Sequence, residues 1–297
     1  MLKPAFSTVA CPDWTLRHVA QEALEHGFEA VELRTFGDDS RRFACDPALS
    51  DEAKTRTMFL ERGVEVLSVA TGVRFDEPVW PPVLGMLGSH RERSVREGKR
   101  AVDLAVGLEC PLVRVFGFEY PNREKRPAAL ARIAERLRMV CDHADKSGVR
   151  IVVENGGSFA TAAELADLIR AVNHPLAGAC YCNATAAAVG EDPSAGIGLL
   201  GDRLWLARVK DVKDGRPCLL GDGEMKCEAF VRTLAATGFN GPLVFEWDRA
   251  WVPDLAGPDQ VLKHAARTIY TWLGAKPETA IGPAEGGKKS PMAGARR

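Results

Sequence analysis

Eight short apolar runs recur along this chain, near Phe6, Ala30, Val64, Leu112, Ile151, Ala177, Leu204 and Leu243, and helical patterns alternate with them. Runs such as IVVE from Ile151 and LVFE from Leu243 are apolar nearly throughout, which suits strands enclosed on both faces rather than a half-exposed sheet. Enclosed strands separated by helices belong to a parallel sheet, because each crossover lays a helix on a sheet face. Eight of them predict a closed (β/α)8 TIM barrel, a single domain over residues 1–275. An open doubly wound sheet is the competing arrangement, but no GxGxxG follows the first strand.

The punctuation between the runs agrees with this. Asp13 is placed to cap a helix over residues 14–26 that Gly27 stops. Further helices are expected over residues 50–62, 96–106, 127–146, 227–237 and 260–273, several of them ended by a glycine. Thr161 with Glu164 forms a capping box ahead of a helix over residues 162–172. Two stretches break the rhythm. Residues 75–88, with three prolines around Trp80, read as a long loop over the barrel mouth, and residues 276–297, rich in Gly, Ala, Pro and Lys, read as a disordered tail.

Composition narrows the function. The 297 residues are 46% hydrophobic with a net charge of -1, enough apolar material for a sizeable core. No apolar run reaches the roughly 18 residues that span a bilayer, and no secretory leader opens the chain, so a cytoplasmic protein is expected. Lysine plus arginine, 39, nearly balances aspartate plus glutamate, 40, which argues against nucleic acid or an anionic membrane as partner and for a small molecule. A homo-oligomer is compatible with these totals. The eight cysteines are scattered without metal-finger spacing and are expected to be reduced and mostly buried.

In a parallel barrel the functional face is built from the C-terminal ends of the strands. Those positions carry Glu32, Arg34, Arg74, Arg114, Glu154, Asn155, Cys182, Arg208, Lys210, Asp211, Glu246 and Trp247. Glu154 and Glu246 stand out because each ends an apolar run, in IVVEN and LVFEW. Two such strands suggest two carboxylates meeting at one mouth.

Five segments carry a family resemblance: PDWTLRHVAQEALEHGFEAVELR from Pro12, IVVEN, GACYCNATAAAVGEDP from Gly178, VKD followed by LLGDGE, and GFNGPLVFEW. In order and spacing they resemble the xylose-isomerase-like TIM barrels, a group of sugar isomerases, epimerases and dehydratases that includes the tagatose 3-epimerases, hydroxypyruvate isomerase, inosose dehydratase and 3-dehydroshikimate dehydratase. The resemblance implies chemistry at a carbon next to a carbonyl, and a divalent metal held by Glu, Asp, His and Glu from successive strand ends. Glu154 and Glu246 match the first and last of these. Cys182 stands where the Asp is expected and Arg208 where the His is expected, so the metal site is degenerate. Thr185 and Gly156 are further departures, and no histidine lies between His174 and His264.

A guanidinium at Arg208 would take over the electrostatic role of the metal and repel an incoming dication. The favoured reading is therefore metal-free, with a divalent ion (Mn, Mg or Zn) on Glu154, Cys182 and Glu246 as the alternative. Without metal, Glu154 and Glu246 are expected to carry protons while Arg208 and Lys210 stabilise an enolate. Glu32, Arg34, Arg114, Asn155 and Cys182 are expected to contact substrate, and Trp14 and Trp247 to stack on a sugar ring. The function expected is a carbohydrate or keto-acid isomerase or epimerase. A dehydratase of the same group and a non-catalytic sugar- or polyol-binding barrel are the alternatives. A nuclease, which needs several metals and a basic groove, is not supported.

Overall fold

All eight expected strands pair in parallel and close on themselves. They are β1 (Lys3–Ser7), β2 (Ala30–Arg34), β3 (Glu65–Arg74), β4 (Leu112–Phe116), β5 (Arg150–Glu154), β6 (Ala177–Cys182) and β7 (Leu204–Val209), then, after a small antiparallel hairpin of β8 (Asp211–Lys213) and β9 (Arg216–Cys218), β10 (Pro242–Phe245). Neighbours follow chain order, and β10 returns to β1 to complete the barrel. The computed structural model describes residues 2–47, 51–77, 90–122 and 124–275. Most of the expected lid loop, from residue 78, and the whole of the expected tail lie outside them.

The interior explains why the polar residues converge. One residue from each strand, Ala5, Ala30, Leu67, Leu112, Val152, Cys180, Leu206 and Val244, forms a buried apolar ring across the barrel. Side chains on a strand alternate between faces, so the residue two positions on points inward again, one layer nearer the C-terminal mouth. On six strands that residue is Ser7, Glu32, Arg114, Glu154, Cys182 and Arg208, and on β10 the chain places Glu246 there, just past the strand end. A register shift where β2 meets β3 sets Ser68, not Val69, beside Glu32. Trp205 packs against the apolar ring from the other end, and Gly178 makes room for it: a Cβ there would lie 2.3 Å from the indole.

Among the described residues, nine α-helices accompany the strands: α1 (Leu16–His26), α2 (Glu52–Leu60), α3 (His90–Gly107), α4 (Arg126–His143), α5 (Ala162–Val172), α6 (Asn183–Ala188), α7 (Pro193–Leu200), α8 (Cys227–Ala236) and α9 (Pro258–Leu273). The capping box of Thr161 and Glu164 is formed in both directions, and Gly27 ends α1 in the left-handed region at φ 79°. The cap of α1 is Thr15 rather than Asp13. The Thr15 hydroxyl accepts from the His18 amide, while Asp13 pairs with Arg249 Nη1 at 2.7 Å. The short α6 and α7 and the β8–β9 hairpin were not anticipated. Asp211 organises that hairpin and the LLGDGE loop, accepting from the backbone N–H groups of Val212, Gly221, Gly223 and Met225 at 2.9–3.1 Å. No helix among the described residues is long and apolar enough to cross a membrane.

Candidate active site

Arg208 is the hub of the inward layer and has no solvent exposure. Its Nη2 donates to both Glu32 oxygens at 2.8 and 2.9 Å, its Nη1 donates to Glu246 Oε2, and its Nε lies 3.3 Å from Glu154 Oε1. The planar fork of one guanidinium thus touches three carboxylates brought from β2, β5 and the end of β10. Arg114 adds a second cation: its Nε lies 3.0 Å from Glu154 Oε2 while its Nη1 donates to the Thr71 carbonyl at 2.7 Å. Lys210 Nζ donates to Glu246 Oε1 at 3.0 Å and to both oxygens of Asp248 at 3.3 and 3.0 Å. Three carboxylates and two guanidinium groups leave one net negative charge at the centre, and the Lys210–Asp248 pair adds none.

The three glutamates are not equivalent. Burial alone would raise Glu246, but Arg208, then Lys210 and Arg114, outweigh it and hold this carboxylate well below its ordinary range. Glu154 moves the other way. Burial raises it, and the opposing pull of Arg208 and Arg114 does not cancel the effect. Its contacts to both arginine Nε atoms are within ion-pair range but are not aligned as hydrogen bonds, so Glu154 Oε2 has no true donor. Burial also raises Asp248, with Glu246 reinforcing the shift, and it raises the Cys182 thiol.

Several expectations from the sequence are corrected. Glu32 and Arg208 do not reach a substrate, since both are fully buried and occupied with each other. Asn155 is buried, with its amide donating to the carbonyls of Ala160 and Cys182 and its Oδ1 accepting from the Cys182 amide; it ties the β5 and β6 ends together. Trp247 is 3% exposed with its indole N–H on the Ala256 carbonyl, so no face is open to a sugar. Glu246 has both oxygens paired with cations that hold it well below its ordinary range, which disfavours the proton-carrying role expected for it. Trp14 is half-buried and meets His18 edge to face at 4.3 Å. Asp248 was missed, although it lies two residues beyond Glu246 in EWD.

The model of the xylose isomerase-like TIM barrel family matches residues 20–272. The chain belongs to that family. It is 28% identical over 248 residues to a 3-dehydroshikimate dehydratase of Pseudomonas putida, an alignment that spans 78% of this chain and 36% of the length of that protein. Among solved structures, L-ribulose 3-epimerase superposes with a TM-score of 0.76 at 17% identity, covering 92% of this chain and 95% of the epimerase. The IOLI protein with a bound zinc atom superposes with a TM-score of 0.73 at 14% identity, covering 92% and 98% of the two chains.

Relative to the Glu, Asp, His and Glu pattern of this xylose isomerase-like family, the residues present do not fit a divalent ion. The Arg208 guanidinium occupies the space between Glu154 and Glu246, pairs with both and donates to Glu246 Oε2, which places a fixed positive charge where an ion would sit. Cys182 offers a single sulfur, pushed toward the thiol form by burial, where the family pattern has a carboxylate. Among the described residues, three such donors approach within 4.8 Å of one another only at His18, Glu22 and Asp259, on α1 and the start of α9. Restoring the pattern is expected to restore the metal. A double substitution, Cys182→Asp with Arg208→His, is expected to bind Mn2+ or Zn2+ in calorimetry where the parent protein does not.

Proposed function

We propose that this family member is an isomerase or epimerase acting on a small hydroxylated carbonyl compound, a carbohydrate or keto acid, by metal-free proton transfer next to the carbonyl. The observation that supports this is the asymmetry of the three carboxylates. Glu32 and Glu246 are consumed by cations. Glu154 keeps a buried oxygen without an aligned donor and holds its proton more tightly than an ordinary glutamate. A base with that character is suited to moving a proton at neutral pH.

In this reading Glu154 takes the proton from the carbon beside the carbonyl. The charge that develops on the carbonyl oxygen is stabilised by Arg114 and by Lys210, the cation of the cluster with most solvent access. Return of the proton to the former carbonyl carbon, with the neighbouring hydroxyl proton passing to the enolate oxygen, is isomerisation; delivery of a proton from solvent water to the opposite face, while Glu154 gives its own to solvent, is epimerisation. Dehydration is a second outcome of the same enolate, favoured by the similarity to a 3-dehydroshikimate dehydratase. It breaks the bond to a β-hydroxyl, which leaves as water with the proton that Glu154 has taken from the carbon.

The test is solvent deuterium exchange into a panel of ketoses and hydroxy-keto acids with a chelator present. Exchange at the carbon next to the carbonyl is expected. Because Glu154 works as the base and its affinity for the proton is raised, the acidic limb of kcat/KM is expected above the ordinary glutamate value of about 4.3. No exchange into any member, with or without added Mn2+, would instead support a binding barrel.

A further inference from the structure

We propose that Arg34 is the anion subsite of this mouth and selects substrates that carry a carboxylate, which deepens the proton-transfer reading and rests on it. The other cations at the strand ends have carboxylates of their own. Arg208 has three, Arg114 has Glu154, Lys210 has Glu246 and Asp248, and Arg74 has Asp76 at 2.7 Å. Arg34, only 9% exposed, has none among the described residues.

What holds Arg34 in place is not a counter-ion. Its amide donates to Thr8 Oγ1 at 2.9 Å, its Nη1 donates to the Ala70 carbonyl at 3.2 Å, and the rings of Phe36 and Trp251 each lie 5.6 Å from its guanidinium carbon. Those contacts leave most of its N–H groups free. Gly72 keeps the approach to Nη2 clear, since a Cβ there would lie 3.2 Å from that nitrogen. Arg34 and Gly72 border a cleft of about 560 Å³ that opens toward α3, where Arg93, Glu97 and Arg100 also line it; Glu154, Arg114 and Lys210 do not line this cleft. Burial, then the charge of Arg114, pulls the guanidinium down to about 9, so it stays cationic at neutral pH but is poorly compensated. A planar carboxylate supplies what is lacking, through two parallel charge-assisted hydrogen bonds.

Arg34 is also in register with the reacting end. Arg34 pairs with Ala70, and Ala70 with Arg114, so the two arginines lie in one row across β2, β3 and β4. Arg114 contacts Glu154. Arg34 therefore stands two strands away from Arg114, on the same level of the mouth as the arginine that touches the base.

Calorimetry with 2-ketogluconate, fructose and fructose 1-phosphate tests this, because the first two share a skeleton and differ at C1 in carboxylate against hydroxymethyl. Using the Glu154→Gln protein keeps binding separate from turnover. The keto acid is expected to bind about 10- to 100-fold more tightly than fructose, as a charge-assisted contact allows. Arg34→Met is expected to erase that preference and leave fructose affinity unchanged. The Arg34→Met protein without ligand is expected to unfold at no lower denaturant concentration than the parent, since it loses a charge that lacks a counter-ion; a structural role would lower that midpoint. Equal binding of the keto acid and fructose, a preference that survives Arg34→Met, or tighter binding of fructose 1-phosphate would overturn the assignment. Loss of deuterium exchange with the Arg34-dependent preference intact would remove the catalytic reading alone.

Discussion

Glu154→Gln is expected to slow exchange of the proton next to the carbonyl by about 100- to 10,000-fold, the usual contribution of a positioned base. Glutamine keeps the shape of the side chain and an acceptor toward Arg208 and Arg114 but cannot take a proton. The loss is therefore expected in kcat, with KM little changed, as for a group that matters only in the transition state. Glu246→Gln is a useful contrast. It frees one hydrogen-bonding partner each of Arg208 and Lys210, so its cost is expected largely in stability. If Glu154→Gln kept the parent exchange rate while Glu246→Gln abolished it, the two roles would have to be exchanged.

Arg208→Met is expected to destabilise the fold by about 3–5 kcal/mol at neutral pH, the cost of removing one partner from a buried ion pair. Methionine fills much of the volume, so the loss is electrostatic: Glu32, Glu154 and Glu246 would share a buried layer with only Arg114 and Lys210 to offset them. The pH dependence has a definite sign. Without Arg208 the folded carboxylates hold protons more tightly than in the unfolded chain, where glutamate titrates near about 4.3. The folded state of the variant is then favoured below that value and loses ground as pH rises through the folded-state values. Urea midpoints measured from acid to neutral pH are expected to show the parent and Arg208→Met converging toward acid. A constant gap across that range would mean that the guanidinium matters through packing alone.

Much of this site was legible because a parallel barrel gathers its strand ends at one place. Glu154 and Glu246 could be found as carboxylates closing apolar runs, and Arg34, Arg114 and Lys210 as cations at equivalent positions. The reach of Arg208 was not legible. Its fork contacts Glu32, distant in sequence on β2, and only the curvature of the closed sheet brings β2, β5 and β10 to one guanidinium. Glu32 therefore read as a substrate contact instead of a buried counter-ion.

The errors over Asn155 and Trp247 have a simpler cause. Each follows an inward-pointing glutamate by one residue, and strand alternation turns such a residue away from the barrel axis. The same alternation would have found Asp248, two beyond Glu246. The short α6 and α7 and the three-residue strands of the hairpin lack enough periodicity to be read from sequence.

The central claim is that Arg208 takes the place of the divalent ion, and metal analysis of the purified protein tests it most directly. After incubation with excess Mn2+, Mg2+ or Zn2+ and removal of free ion, a protein with His18 replaced by alanine, to remove the surface donor group, is expected to retain far less than one ion per chain. Deuterium exchange by the same preparation is expected to be unaffected by chelator. Stoichiometric metal lost on Glu154→Gln, together with exchange that chelator abolishes, would contradict the account.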